Sequence, residues 1–175
     1  MASAPEAERL LVALLVSESL DGDPAGRYGA PVPELRTAVV AEVAQLIQPA
    51  DIVHLAYRQV YEAVVDQVRL GRPVTPATLA ARLPDNLAQL LEELVELSHP
   101  VRGKYVGPHH GRPLAEVIRG AAEKRRLHSA LTSALTLLYD PKRTAADAWA
   151  ELCRQFPPPA PAPRTRAITS VEIFA

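Results

Sequence analysis

The stretch DIVHLAYRQVYEAVVDQVRLGRP, residues 51 to 73, decides how this chain folds. Ile52, Leu55, Val60, Val64 and Val68 recur at helical spacing, Gly71 stands where a left-handed residue closes a helix, and Pro73 keeps that helix from resuming. A helix is predicted over about 51–70. Upstream, Leu35, Val39, Val43, Leu46 and Ile47 predict a helix from near Glu34 that Pro49 ends at or before Gln48. Asp21 to Pro33 is too rich in Gly and Pro for regular structure and reads as a long surface loop. A first helix is predicted from Pro5 to Leu20. Glu6 and Glu8 oppose its positive dipole end, and Leu11, Leu14 and Leu15 make one face.

Downstream, Thr75 is placed to cap a short helix holding Leu79, Ala80 and Leu83, and Pro84-Asp85-Asn86 separates it from a helix over Leu87 to Leu97. A second long loop, locally basic, runs from His99 to Pro113. Helices over Leu114 to Tyr139 and Thr144 to Phe156, joined at Asp140-Pro141, form a hairpin. Residues 157–163 hold five prolines and read as a semi-rigid spacer at about 3.1 Å per residue. Apolar and polar residues nowhere alternate over a strand length. The reading is all-α: a helical domain over 1–156 with a compact head and a hairpin arm at 114–156, a Pro-rich linker at 157–167, and a tail at 168–175.

Composition bounds the function. The chain has 175 residues, 48% hydrophobic and 22% charged, with 19 Lys+Arg against 20 Asp+Glu. That suffices for a real core and excludes collagen-like and wholly disordered chains. Balanced charge removes the broad basic field of a dedicated nucleic-acid binder, so DNA contact is expected to be weak or indirect. The single Cys153 forms no internal disulfide and falls short of a structural zinc site, which fits a reducing, cytoplasmic setting. Leu10 to Val16 follows Glu6, Glu8 and Arg9 rather than a positive n-region, and no run approaches the roughly 20 apolar residues of a membrane span, so neither a signal peptide nor membrane insertion is expected.

Signatures of catalysis are missing. There is no G-x-x-x-x-G-K-[ST] phosphate loop, no G-x-G-x-x-G, no G-x-S-x-G and no H-E-x-x-H. No catalytic residue, cofactor or metal is expected. His109-His110, between Pro108 and Gly111, could ligate a metal only with distant help, which keeps a small all-α metal-dependent enzyme as an alternative from another class. Cys153, near Trp149, reads as a small core residue, and His54 as a helix-surface or packing residue. Lys124, Arg125 and Arg126, with the loop cations Arg102, Lys104 and Arg112, read as a solvated face rather than a phosphate footprint.

Two apolar stripes run along Leu114 to Tyr139. One passes through Val117, Ala121, Leu131, Leu135 and Leu138; the other through Ile118, Ala122, Leu127, Ala130, Ala134 and Leu137. The last helix offers Ala145, Trp149, Leu152 and Phe156, which cover one side only. Either both helices fold back on a single core, or the hairpin is a dimerisation arm with Leu127, Leu131, Leu135, Leu138, Trp149, Leu152 and Phe156 at its interface. Ile168, Val171, Ile173 and Phe174, on a tether with nothing of their own to bury against, suggest a short docking helix.

These motifs resemble a known family. Asp51 to Val64 is similar to the D-F-x-x-x-x-H-R-x-I-Y-x-A-I helix in the N-terminal domain of DnaB-type replicative DNA helicases, through Tyr57, Arg58 and Tyr61. Gly71-Arg72-Pro73-Val74 with Thr78-Leu79 resembles its G-x-P-V-D-x-x-T-L continuation. Pro5 to Leu15 looks like its opening helix, and Leu114 to Leu127, through Arg125 and Arg126, like its Y-A-x-I-[IV]-R-x-x-x-x-x-R-R-L helix. Ile52 replaces the usual Phe, Tyr57 the usual His and Val12 a Gly, and Pro76 falls close to the usual Asp, so the member would be divergent. The resemblance covers about Pro5 to Phe156. It implies a non-catalytic collar domain that pairs through its hairpin into a homodimer or ring and engages primase or a helicase loader. A motor domain carrying the ATPase would lie elsewhere, and residues 168–175 look like the start of the linker helix towards it. The helicase-binding domain of a primase shares the architecture and stands as the runner-up.

Overall fold

The computed structural model describes residues 2–17, 32–98 and 108–156. Seven α-helices follow one another: α1 (Ala4–Val16), α2 (Val32–Leu46), α3 (Leu55–Arg69), α4 (Pro76–Ala80), α5 (Ala88–Ser98), α6 (Gly111–Tyr139) and α7 (Ala145–Gln155). Short 3-10 turns stand at Pro49–Asp51, Asp85–Leu87 and Pro108–His110. No strand occurs among the described residues. The all-α expectation holds. The linker and tail, most of the Asp21 to Pro33 loop and His99 to Gly107 lie outside the described residues.

Two compact units are distinguished, Met1–Arg125 and Arg126–Ala175, with the boundary inside α6. In the first, α1 is the central element and packs on α5, α3 and α2. The expected single face of Leu11, Leu14 and Leu15 is corrected: every side chain from Leu11 to Val16 is buried. The second half of α1, apolar all round, is enclosed all round. It ends at Val16, short of the expected Leu20, because Ser17 is already extended at φ -63 and ψ 130. Val39, Val40, Val43, Ile47, Ile52, Tyr61, Leu79, Leu94 and, from α6, Leu114, Ala115 and Ile118 complete the core. Each large aliphatic side chain buried there contributes about 1.5–3 kcal/mol.

Turn chemistry places the helix ends. Gly71 adopts φ 63; its N–H donates to the Val68 carbonyl at 3.0 Å and the Arg72 N–H to that of Gln67 at 2.9 Å, a Schellman closure of α3. The Thr75 hydroxyl accepts from Thr78 N at 3.1 Å and the Thr78 hydroxyl from Thr75 N at 2.9 Å, a capping box at α4. Helix α6 begins at Gly111 rather than Leu114, with Pro113 tolerated in the first turn. At Gly111 a Cβ would stand 3.1 Å from Val39 Cγ1, so the missing side chain lets α6 approach α2.

In the second unit the rest of α6 connects to α7 through a tight turn. Asp140 accepts from Lys142 N on its side chain at 2.9 Å and from Arg143 N on its carbonyl at 3.0 Å. Thr144 caps α7 instead of joining it: its N–H donates to Asp147 Oδ2 at 2.8 Å and its hydroxyl accepts from Asp147 N at 3.3 Å. The Thr144 N–H first, and then the Thr144 hydroxyl, which donates to the same Oδ2 at 3.0 Å, hold the Asp147 carboxyl below its ordinary value. The hairpin expected from Asp140-Pro141 is present as helix, turn and helix.

Candidate interaction surfaces

The expected helix start at Asp51 is corrected. Residues 49–51 form a 3-10 turn and 52–54 are non-helical, so α3 begins at Leu55. This connector is held by side chains from three helices. Glu8 of α1, 2% exposed, accepts from Val53 N at 2.9 Å and His54 N at 3.1 Å. Arg58 of α3 donates to the Ile52 carbonyl through Nε at 2.9 Å and Nη2 at 2.7 Å. Arg125 of α6 donates through Nη2 to the Asp51 carbonyl, and Asp51 Oδ2 accepts from Gln48 N at 2.8 Å. The connector has no ladder partner, so charged side chains satisfy its amides and carbonyls. Arg58 and Arg125, singled out by the family pattern, are therefore architectural.

Tyr61, 1% exposed, donates to the Ile47 carbonyl at 3.3 Å. Burial pushes its hydroxyl from 10.0 up to about 12, against the opposing charge of Arg69 and with a smaller push from Asp51. A phenol that holds its proton more tightly when folded contributes stability that is complete below pH 10 and lost as pH rises through about 12. Spectroscopic titration should find one of the five tyrosines ionising near pH 12. That late component should vanish in Tyr61→Phe; its persistence would contradict the assignment.

Arg36, which the sequence reading passes over, and Glu8, which it assigns only to the helix dipole, prove to hold the architecture together. By position Glu8 suits the helix dipole, yet it is buried and reaches across to the connector. Arg36 is buried in α2 and donates to the Val74 carbonyl at 2.5 Å and the Ser17 carbonyl at 2.6 Å. A signal exists in each case: Glu8 lies four residues before Val12, and Arg36 three before Val39, both on faces that are otherwise apolar.

The apolar surface lies in the second unit. Leu127, Leu131, Leu135 and Leu138, at steps of four, four and three, are 43 to 51% exposed, whereas Ala130 is buried. Leu127 therefore belongs with the exposed row, not with the buried stripe that includes Ala130. Trp149 is 65% exposed, which corrects its expected role as a cover for α6; Ala148 is the buried residue of α7. Leu152, Cys153 and Phe156 are half-buried. Tyr139 and Trp149 add exposed aromatic surface. An apolar row of this length is the usual mark of an interface.

Other candidates are accounted for. Arg112, read as a loop cation, lies on α6 and pairs with Glu116 at 3.0 Å and Glu42 at 3.5 Å; the Glu116 bond above all raises its pKa. His54 precedes α3 rather than lying on it, its ring stacked on Tyr57 at 4.2 Å. The His109 and His110 rings lie 4.0 Å apart, and no group of three or more His, Cys, Asp or Glu among the described residues could hold a metal ion. No described helix is long and apolar enough to cross a membrane.

In chain order the described residues form a set of packed helices followed by a long helix, a tight turn and a last helix. Among solved structures the chain is similar to the N-terminal domain of DnaB helicase from Mycobacterium tuberculosis, with a TM-score of 0.60 and 20% identity over 85% of this chain and 92% of that one. At that identity the likeness establishes the fold, and it bears out the fold implied by the motifs. No family model and no curated protein matches the chain.

Proposed function

We propose that the chain is a non-catalytic collar and interaction module of a replicative DNA helicase. It acts in DNA replication in the cytoplasm, by self-association and by contact with primase or a helicase loader. The observation that carries this reading is the exposed row Leu127, Leu131, Leu135 and Leu138 on a chain with the DnaB N-terminal fold. With Trp149, Leu152 and Phe156 it forms the surface through which copies pair. ATP hydrolysis and unwinding belong to a motor domain, since no residues here match a triphosphate loop. DNA contact is weak or indirect, because charge is balanced and both Arg112 and Arg125 are engaged by protein groups.

The test combines two measurements on one preparation. The purified chain should hydrolyse no ATP with or without single-stranded DNA, while light scattering reports a mass above that of one chain. ATP turnover by this chain, or stoichiometric tightly bound metal, would overturn the reading in favour of an enzyme. Truncation after Phe156 should leave the melting temperature within about a degree or two, because the five prolines of residues 157–163 cannot donate the backbone hydrogen bonds that a helical core needs.

A further inference from the structure

Among the described residues of the first unit, the exposed large apolar side chains are Val53 at 57%, Leu55 at 62% and Leu70 at 55%. Val53 and Leu55 lie two residues apart where the connector enters α3. A single exposed aliphatic residue is ordinary, but this pair stands on a backbone that is braced from three helices. Glu8 holds the amides of Val53 and His54, while Arg125 and Arg58 hold the carbonyls of Asp51 and Ile52. Ile52, fully buried, anchors the connector from below. The exposed His54 ring, between the two aliphatic residues in the chain, is stacked on Tyr57 at 4.2 Å.

The same bonds define what fits there. Four backbone groups of the connector are already engaged, so recognition falls to side chains and not to an added strand. The carboxylates of the connector region, Glu8 and Asp51, are 2% and 6% exposed, whereas Arg125 is exposed and Arg58 half-buried. Neither arginine forms an ion pair with a carboxylate among the described residues; each bonds to a carbonyl, which leaves its charge in place. The next exposed carboxylate of α3, Glu62, follows Leu55 by seven residues, about two turns. Around Val53 and Leu55 the negative groups are therefore inside and the positive ones outside.

We infer that Val53 and Leu55, with the His54–Tyr57 stack, form a preformed docking surface for a segment of another protein in which apolar side chains alternate with carboxylates. Arg58 and Arg125 keep their architectural bonds and supply the positive field that draws such a segment in. The surface lies within the first unit and does not depend on pairing of copies through the α6 row.

A short peptide of alternating Leu and Glu, titrated into the isotope-labelled full chain and followed by amide NMR, tests it. The expected result is saturable shifts concentrated at residues 53–57, weakened by added salt. Affinity should fall about tenfold in Leu55→Ser and likewise in Val53→Ser, with helical content unchanged because both side chains are exposed. The same peptide with Lys in place of Glu should bind at least about tenfold more weakly. No saturable shift, equal binding of the Lys peptide, or shifts centred on Leu127 to Leu138 would overturn the inference. A lower sedimentation mass for Leu55→Ser than for the unaltered chain would overturn it too, by assigning the surface to a second copy.

Discussion

Replacing Glu8 with alanine should lower the stability of the first unit by about 3 kcal/mol, read as a shifted denaturation midpoint with an unchanged slope. The Glu8 carboxylate accepts from two consecutive backbone amides, Val53 N and His54 N, in the connector that enters α3. Removing it leaves both donors without their acceptor, at roughly 1–3 kcal/mol each where water cannot replace it. It also frees Ile52, which is fully buried, to move with the connector. Glu8→Gln keeps one acceptor oxygen and should lose about half as much. Equal losses in the two variants would mean that charge, not hydrogen bonding, holds the connector. A loss under about 1 kcal/mol in Glu8→Ala would mean that water satisfies those amides.

Leu135→Asp should weaken self-association by at least about a hundredfold while leaving helical content unchanged. Leu135 lies mid-row with 51% exposure, so the separate chain tolerates a carboxylate there. In a symmetric interface each copy brings the substitution, and two buried, unpaired carboxylates together exceed the roughly 2 kcal/mol that one central interface residue supplies. Trp149→Ala should weaken association too, because Trp149 is exposed on α7 rather than packed as a cover. If Leu135→Asp instead unfolds the hairpin, the row packs within the chain.

Most of the fold was legible because its signals are local. Helical period, Gly71 at positive φ, Thr75 as a cap and the Asp140 turn each depend on a few neighbouring residues, and all are present. The features that escaped depend on residues far apart in the chain. Residues 51–54 fit the helical period of α3, but Glu8, Arg58 and Arg125 bind their backbone in another conformation. Trp149 falls in register with Leu152 and Phe156, yet spacing alone does not say that Ala148 takes the buried side. The exposed leucines were legible as a stripe, and the family pattern marked Arg58, Tyr61 and Arg125. The pattern does not say that these residues serve the architecture rather than a partner.

We propose that this chain works by joining copies of itself. Sedimentation equilibrium of the unaltered chain across a micromolar concentration series tests it most directly. Pairing through the row from Leu127 to Leu138 should give a mass that rises with concentration from one chain to a dimer or larger ring, and a mass that stays at one chain throughout would rule that pairing out.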